Sequence, residues 1–276
     1  MHAVAAPPYP PPGQMVDAGG YRVHLYCLGE GTPTVVVTGM EFSFVWSLVQ
    51  PEVAKFTRIC TYDPSGTAWS DPGPELTCRV RVKELHTTLQ NAEITGPYVL
   101  VGFSMGAVVA RLYAREYPAQ SAGMVMVSHA FLPPKPSKAA VPVQGPDSPP
   151  VLIHEEPIEL TIEDDPNFAK LPPRARELYH WAMGLHPVRP TAEAAEECLS
   201  AVDHQPDTLG GRPLVVISTV PHPPSYEKLQ QDLLALSRNS KRLIAEKSFH
   251  PVIIDQPEIV VEAIRDVVQQ VRAQAK

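Results

Sequence analysis

Short apolar runs alternate along the chain with longer stretches whose apolar positions recur at helical spacing. Residues 34–38 (Thr-Val-Val-Val-Thr) and 98–103 (Tyr-Val-Leu-Val-Gly-Phe) are continuous and largely β-branched, as expected of strands covered on both faces. Residues 21–27 alternate in polarity and predict an outer strand. Residues 58–62, 123–127, 214–218 and 242–246 predict further strands. Between them, residues 46–56 fit a helix, and Val82, Leu85, Leu89 and Ala92 share one helical face. A helix is expected from Met105 to Tyr117, another near 226–236, and a closing helix with Val260, Ile264, Val267 and Val271 on its buried side. Asp255-Gln256-Pro257-Glu258 supplies a start signal for that last helix, with Asp255 as N-cap and proline in the first turn.

This alternation predicts an α/β fold, a mostly parallel central sheet with helices on both faces. The rhythm breaks after Val127 and returns at Leu214. The intervening chain is Pro-rich, then acidic, then helical in patches at 175–185 and 192–202. It is too long for a loop and is expected to be an inserted helical cap over the C-terminal edge of the sheet, where open α/β sheets bind ligands. The expected division is a Pro-rich N-terminal arm at 1–20, a core of 21–128 and 212–276, and a cap insertion at 129–211. No internal repeat is present.

Composition narrows the classes. With 276 residues, 44% of them hydrophobic, the chain can bury a full core as one domain. A net charge of -7 without a basic cluster argues against a nucleic-acid partner. No apolar run reaches the roughly 18–20 residues of a membrane span. The N-terminus lacks the charged and apolar regions of a signal peptide, so a cytoplasmic location is expected, with secretion open if a leader has been trimmed. The 32 prolines concentrate at 7–12 and 133–150, which excludes regular helix or central strand there. The four cysteines, Cys27, Cys60, Cys78 and Cys198, show no paired spacing. Cys27 and Cys60 are expected to be buried thiols, and the set suggests neither a disulfide framework nor a zinc site. No metal or cofactor is expected, and the pattern carries no signal for an oligomeric state.

The candidate chemistry centres on Gly102-Phe103-Ser104-Met105-Gly106, between a strand-like run and a helix-like one. Gly-x-Ser-x-Gly on a strand-to-helix turn is the nucleophile-elbow pattern. The serine occupies a strained conformation that projects its hydroxyl, and the glycines remove side chains that would collide with the neighbouring strand or helix. Of ten histidines, His250 stands apart because it lies between the last strand and the last helix, on the same sheet edge as the elbow. Acyl transfer also needs N–H donors aimed at a developing oxyanion. The amides of Met105, after the candidate nucleophile, and Met40, after the 34–38 strand, occupy the required places.

The sequence resembles the α/β-hydrolase superfamily over nearly its whole length, and most closely bacterial alpha/beta-fold hydrolases of the serine esterase type. The likeness rests on Tyr9-Pro10-Pro11-Pro12-Gly13 with Val16-Asp17-Ala18-Gly19-Gly20, on Tyr62-Asp63-Pro64-Ser65-Gly66 with Trp69-Ser70-Asp71-Pro72-Gly73-Pro74, on the elbow, and on His250 followed by Asp255-Gln256-Pro257-Glu258. It implies Ser104 as nucleophile, His250 as base, a cap and a cofactor-free site. Serine at the elbow fits ester, thioester or amide cleavage.

The chain departs from that pattern at the third triad position. Neither expected strand end offers a carboxylate: Val127 is followed by Ser128-His129, and the 214–218 strand by Thr219-Val220-Pro221-His222. Three arrangements remain open: Ser128 orienting His250 through its hydroxyl, a carboxylate reaching in from Glu41 or the cap, or a dyad or inactive site. Glu41 also departs from the small residues that relatives place after the oxyanion strand, and Glu41, Phe42 and Phe103 are candidate pocket residues. The leading expectation is a serine hydrolase acting on a small ester-like substrate. The alternatives are a cofactor-free lyase, cyclase or oxygenase using the same Ser/His pair without an acyl-enzyme, or a non-catalytic ligand-binding relative.

Overall fold

The computed structural model describes residues 8–39, 41–75, 77–128, 167–185, 187, 191–201, 206–219, 224–248 and 250–275. Eight strands form one sheet: β1 (Gln14–Asp17), β2 (Arg22–Leu28), β3 (Val35–Val37), β4 (Ile59–Asp63), β5 (Tyr98–Phe103), β6 (Ser121–Val127), β7 (Leu214–Thr219) and β8 (Ser240–Ala245). Their lateral order is β1-β2-β4-β3-β5-β6-β7-β8. β2 runs antiparallel to β1 and β4, and every pairing from β4 to β8 is parallel. This is the mixed, mostly parallel sheet expected, with β1 arising inside the Pro-rich arm.

The continuous apolar runs divide between two cores by the two-residue period of a strand. Tyr98 and Leu100 of β5, Met124 and Met126 of β6, and Leu214 and Val216 of β7 join one cluster with Val82, Leu85 and Leu112. Val99, Val101, Phe103, Val125, Val127, Val215 and Ile217 join the other with Val260, Ile264 and Val267. The α-helices among the described residues are α1 (Gln50–Val53), α2 (Cys78–Asn91), α3 (Met105–Glu116), α4 (Pro173–Gly184), α5 (Ala192–Ser200), α6 (Pro224–Leu234), α7 (Val252–Asp255) and α8 (Pro257–Gln274). Thr77 starts α2 by accepting the Val80 N–H on its hydroxyl. The helical patches expected at 175–185 and 192–202 correspond to α4 and α5.

Three local expectations are corrected. Residues 46–56 do not form one helix; a 3-10 helix at Ser43–Leu48 precedes the short α1, whose first turn holds Pro51. Proline has no N–H to donate, so a helix restarts at it more readily than it runs through it. Asp255 is not the N-cap of the closing helix. It ends α7, and Gln256 precedes α8 without a side-chain cap. The cysteines are not free thiols: Cys27 bonds to Cys60 and Cys78 to Cys198. Cys27 and Cys60 are register partners on antiparallel β2 and β4, and lateral register leaves no trace in linear spacing. Cys78 opens α2 and Cys198 lies in α5, so this bond ties the segment between β6 and β7 to a helix flanking the sheet.

Candidate active site

Ser104 stands where β5 ends and α3 begins, with φ 52° and ψ -123°. A non-glycine residue there is strained, and the surrounding bonds impose the conformation. The Ser104 N–H donates to Val127 O at 2.9 Å, and Ser104 O accepts the Ala107 N–H at 3.1 Å. The flanking glycines are required by contact distances. A Cβ on Gly102 would lie 2.4 Å from the Ala107 nitrogen and from Gly106 O. One on Gly106 would lie 2.9 Å from the Gly39 Cα. The turn, the helix start and the loop after β3 therefore interlock at backbone level.

The sheet register places a second serine beside the first. Phe103 pairs with Val127 across β5 and β6, so Ser104 and Ser128 each follow one member of that pair. Ser128 also has a positive φ of 43°, and its N–H donates to Ile217 O. Its Oγ lies 3.0 Å from His250 Nδ1. His250 follows β8 and precedes α7, keeps an exposed edge, and sets its ring 4.9 Å from that of Phe103. Removal of water from around the imidazole lowers its pKa from the ordinary histidine value, because the charged form loses hydration. Ser128 is the side-chain partner of the imidazole among the described residues, and Ser104 Oγ makes no direct hydrogen bond to it. Catalytic hydrogen bonds are often long before substrate binds.

Met105 is the first residue of α3, where backbone N–H groups lack intrahelical acceptors and the positive end of the helix dipole is exposed. Met40 lies outside the described residues, but its neighbour Gly39 packs against Gly106. Thr38 holds that junction: its Oγ1 donates to Gly106 O at 2.8 Å, and its N–H to Val101 O. Glu41 is turned inward, with Oε2 2.4 Å from where a Gly39 Cβ would sit and shielded from solvent. Phe42 is buried, stacked on Phe44 at 5.1 Å and edge-on to Tyr179 of α4 at 5.7 Å.

Sequence reasoning missed the network behind this loop. Asp63, at the end of β4, accepts the Ser43 N–H at 2.7 Å and the Ser43 hydroxyl at 3.1 Å. It also pairs with His24 Nδ1 at 2.7 Å, both side chains being fully buried. His24 Nε2 accepts the Gly13 N–H, which makes Nδ1 the donor to Asp63. The arm, β2, β4 and the segment after Glu41 are thereby joined in one place. The run Tyr62-Asp63-Pro64-Ser65-Gly66 signalled Asp63, but no spacing connects it to His24 or Ser43. Among the described residues no group of three or more His, Cys, Asp or Glu could hold a metal ion, and no helix is long and apolar enough to cross a membrane.

Solved structures share this architecture. A serine hydrolase involved in carbazole degradation (CarC enzyme) superposes with a TM-score of 0.63 at 19% identity, covering 93% of this chain and 98% of that one. A thermophilic esterase from Thermogutta terrifontis does so with a TM-score of 0.63 at 21% identity, covering 93% and 97%. In sequence, the uncharacterized protein C23C11.06c of Schizosaccharomyces pombe (strain 972 / ATCC 24843) is 30% identical over 149 residues, which span 42% of this chain and 28% of that relative. Residues 18–263, from the end of β1 into α8, match the Alpha/beta hydrolase family, and the chain belongs to that family.

Proposed function

We propose that the protein is a serine hydrolase that cleaves a carboxylic ester through an acyl-enzyme on Ser104, with His250 as base and Ser128 in the place of the triad acid. The observation that carries this reading is the 3.0 Å contact between Ser128 Oγ and His250 Nδ1, one strand away from the elbow serine. With the Nδ1 proton given to Ser128, Nε2 is the free acceptor for the Ser104 hydroxyl proton. Ser104 Oγ attacks the ester carbonyl carbon and Nε2 takes its proton. The Met40 and Met105 amides receive the oxyanion. Collapse of the tetrahedral species breaks the bond to the alkoxy oxygen, which leaves as alcohol with the proton from Nε2. Water then attacks the acyl-enzyme by the same route, releasing the acid and restoring Ser104.

A hydroxyl orients the imidazole but carries no charge to set against the imidazolium, so turnover slower than with a carboxylate is expected. A fluorophosphonate probe tests the reading. Labelling should map to Ser104 by peptide mass spectrometry and vanish in Ser104→Ala; an unlabelled, correctly folded wild type would sink it. The uncharged third member also favours the second reading, chemistry without an acyl-enzyme. Turnover of an activated nitrophenyl ester with no acyl adduct at Ser104 would support that alternative.

The two disulfides bear on location. Such bonds persist in oxidising compartments and are rare in the cytosol, so they favour a site of action outside the cytoplasm. The cytoplasmic expectation rested on the lack of signal-peptide features at the N-terminus, and it left secretion open.

A further inference from the structure

We propose that the protein carries a second small-molecule site, apart from the Ser104 rim, that takes a small aromatic carboxylate. The described residues line a half-open cavity of about 220 Å3 between β2, the 3-10 helix at Ser43–Leu48 and α4. Tyr26, Phe44, Trp69 and Leu178 wall it, and Pro172 and Arg174 stand exposed at its mouth. None of Ser104, Met105, Ser128 or His250 lines it.

Strand direction explains the separation. β2 runs against the parallel strands, pairing Tyr26 with Thr61 and its last residue Leu28 with Ile59, the first of β4. Leu28 also lines the cavity, so the cavity descends toward the end of the sheet opposite the one where β5 delivers Ser104. The link between the two places is aromatic: Phe44 in the wall stacks on Phe42, which follows the oxyanion loop.

The lining selects the ligand. An apolar cavity of about 150 Å3 is enough to bind benzene, so this one accommodates a single ring with a short tail. The rings of Phe44 and Trp69 cross edge to face at 5.8 Å, a geometry that an added aromatic ring extends. Most polar groups in the wall are already committed. The Ser43 hydroxyl donates to Asp63, and the Gln50 amide donates to Tyr26 O while its oxygen accepts from Thr61. The Ser47 hydroxyl is shielded from solvent and has no partner among the described residues. At the mouth, the Arg174 guanidinium lies 4.4 Å above the Tyr9 ring and makes no ion pair among the described residues. Glu177, three residues along α4, is engaged by the Tyr9 hydroxyl instead. A ring with one carboxylate matches an apolar interior, a solvent-shielded hydroxyl without a partner among the described residues and a cation at the rim.

The test is a calorimetric titration of phenylacetate, with benzylamine as the cationic counterpart, into wild-type and Ser104→Ala protein. Saturable one-to-one binding of phenylacetate is expected in both, at least about fivefold tighter than benzylamine. Arg174→Gln, at an exposed position, should weaken phenylacetate about fivefold, and Ser47→Leu, which extends into the cavity, should abolish binding while circular dichroism stays unchanged. A soaked crystal should show the ring in the cavity, packed against Phe44 and Trp69. No saturable binding, equal affinity for the amine, or an affinity unmoved by both substitutions would overturn the proposal. Because the Ser104→Ala protein is included, these outcomes do not depend on whether Ser104 is a nucleophile.

Discussion

Ser128 Oγ and His250 Nδ1 lie 3.0 Å apart, although 122 residues separate them in the chain. The contact sits where triad enzymes of this fold hold a carboxylate, and it joins the end of β6 to the loop after β8. The adjacent Ser104, one strand over, gives the contact its proposed meaning.

If Ser128 orients the imidazole, Ser128→Ala should lower kcat/KM about tenfold with the fold intact, the value of one hydrogen bond in a confined site. Ser128→Asp should act in the opposite direction. Aspartate tolerates the positive φ of 43° at this position, and its charge would stabilise the imidazolium. We expect at least a tenfold gain in kcat and an upward shift of the His250 pKa, read by proton NMR of the imidazole and by the pH profile. Equal activity in all three proteins would remove Ser128 from the mechanism.

The pH dependence has a defined sign. Burial lowers the His250 pKa, so the imidazole stays deprotonated to a lower pH than an exposed histidine would. The kcat/KM profile should rise from acid through an apparent pKa below the ordinary histidine value and then level off. The same shift affects stability: the unfolded chain binds a proton that the folded one resists, so this contribution is present above the unfolded pKa and is lost as pH falls through the folded one. His86 is shifted in the same direction, chiefly by burial. Thermal unfolding should therefore show a falling Tm as pH drops below that of an ordinary histidine, less so in a His86→Gln variant.

The contact between Gly106 and Gly39 predicts a separation of activity from folding. Gly106→Ala places a Cβ 2.9 Å from the Gly39 Cα and 3.1 Å from Thr38 O. The loop after β3 must shift by several tenths of an ångström, moving a proposed oxyanion donor. Activity on an activated ester should fall about 10²-fold, the scale of losing one such donor, while Tm changes by only a few degrees. Gly102→Ala is the contrasting case. Its Cβ strikes the Ala107 and Gly106 backbone at 2.4 Å, and a large loss of stability is expected.

Removing the bond between Cys78 and Cys198 should cost about 2–4 kcal/mol, since it closes a long segment of chain. The paired substitution Cys78→Ala with Cys198→Ala should lower Tm and speed amide exchange in α5 while leaving β5 to β7 protected. Uniform deprotection of the sheet would mean that the bond supports the core and not only the segment between β6 and β7.

Much of this molecule was legible from residue order. Seven of the eight strands came from short-range pattern: the central ones because a strand buried on both faces must be apolar throughout, and the 21–27 strand because its polarity alternates; the 98–103 run supplies alternate residues to two cores. The elbow was equally local, since the strained serine and its two small neighbours are one five-residue requirement. Helix boundaries near 46–56 and 255–258 were less legible, because proline restart and capping compete over single residues. What the chain order could not specify was lateral: which cysteine faces which, which buried histidine meets Asp63, and which group completes the imidazole. Those depend on strand register and on which segments the sheet brings together, and sequence separations of 33, 39 and 122 residues carry no information about either. Residue order thus determined the family and the serine at the elbow, and tertiary packing decided the disulfides, the buried His24–Asp63 pair and the hydroxyl that stands at His250.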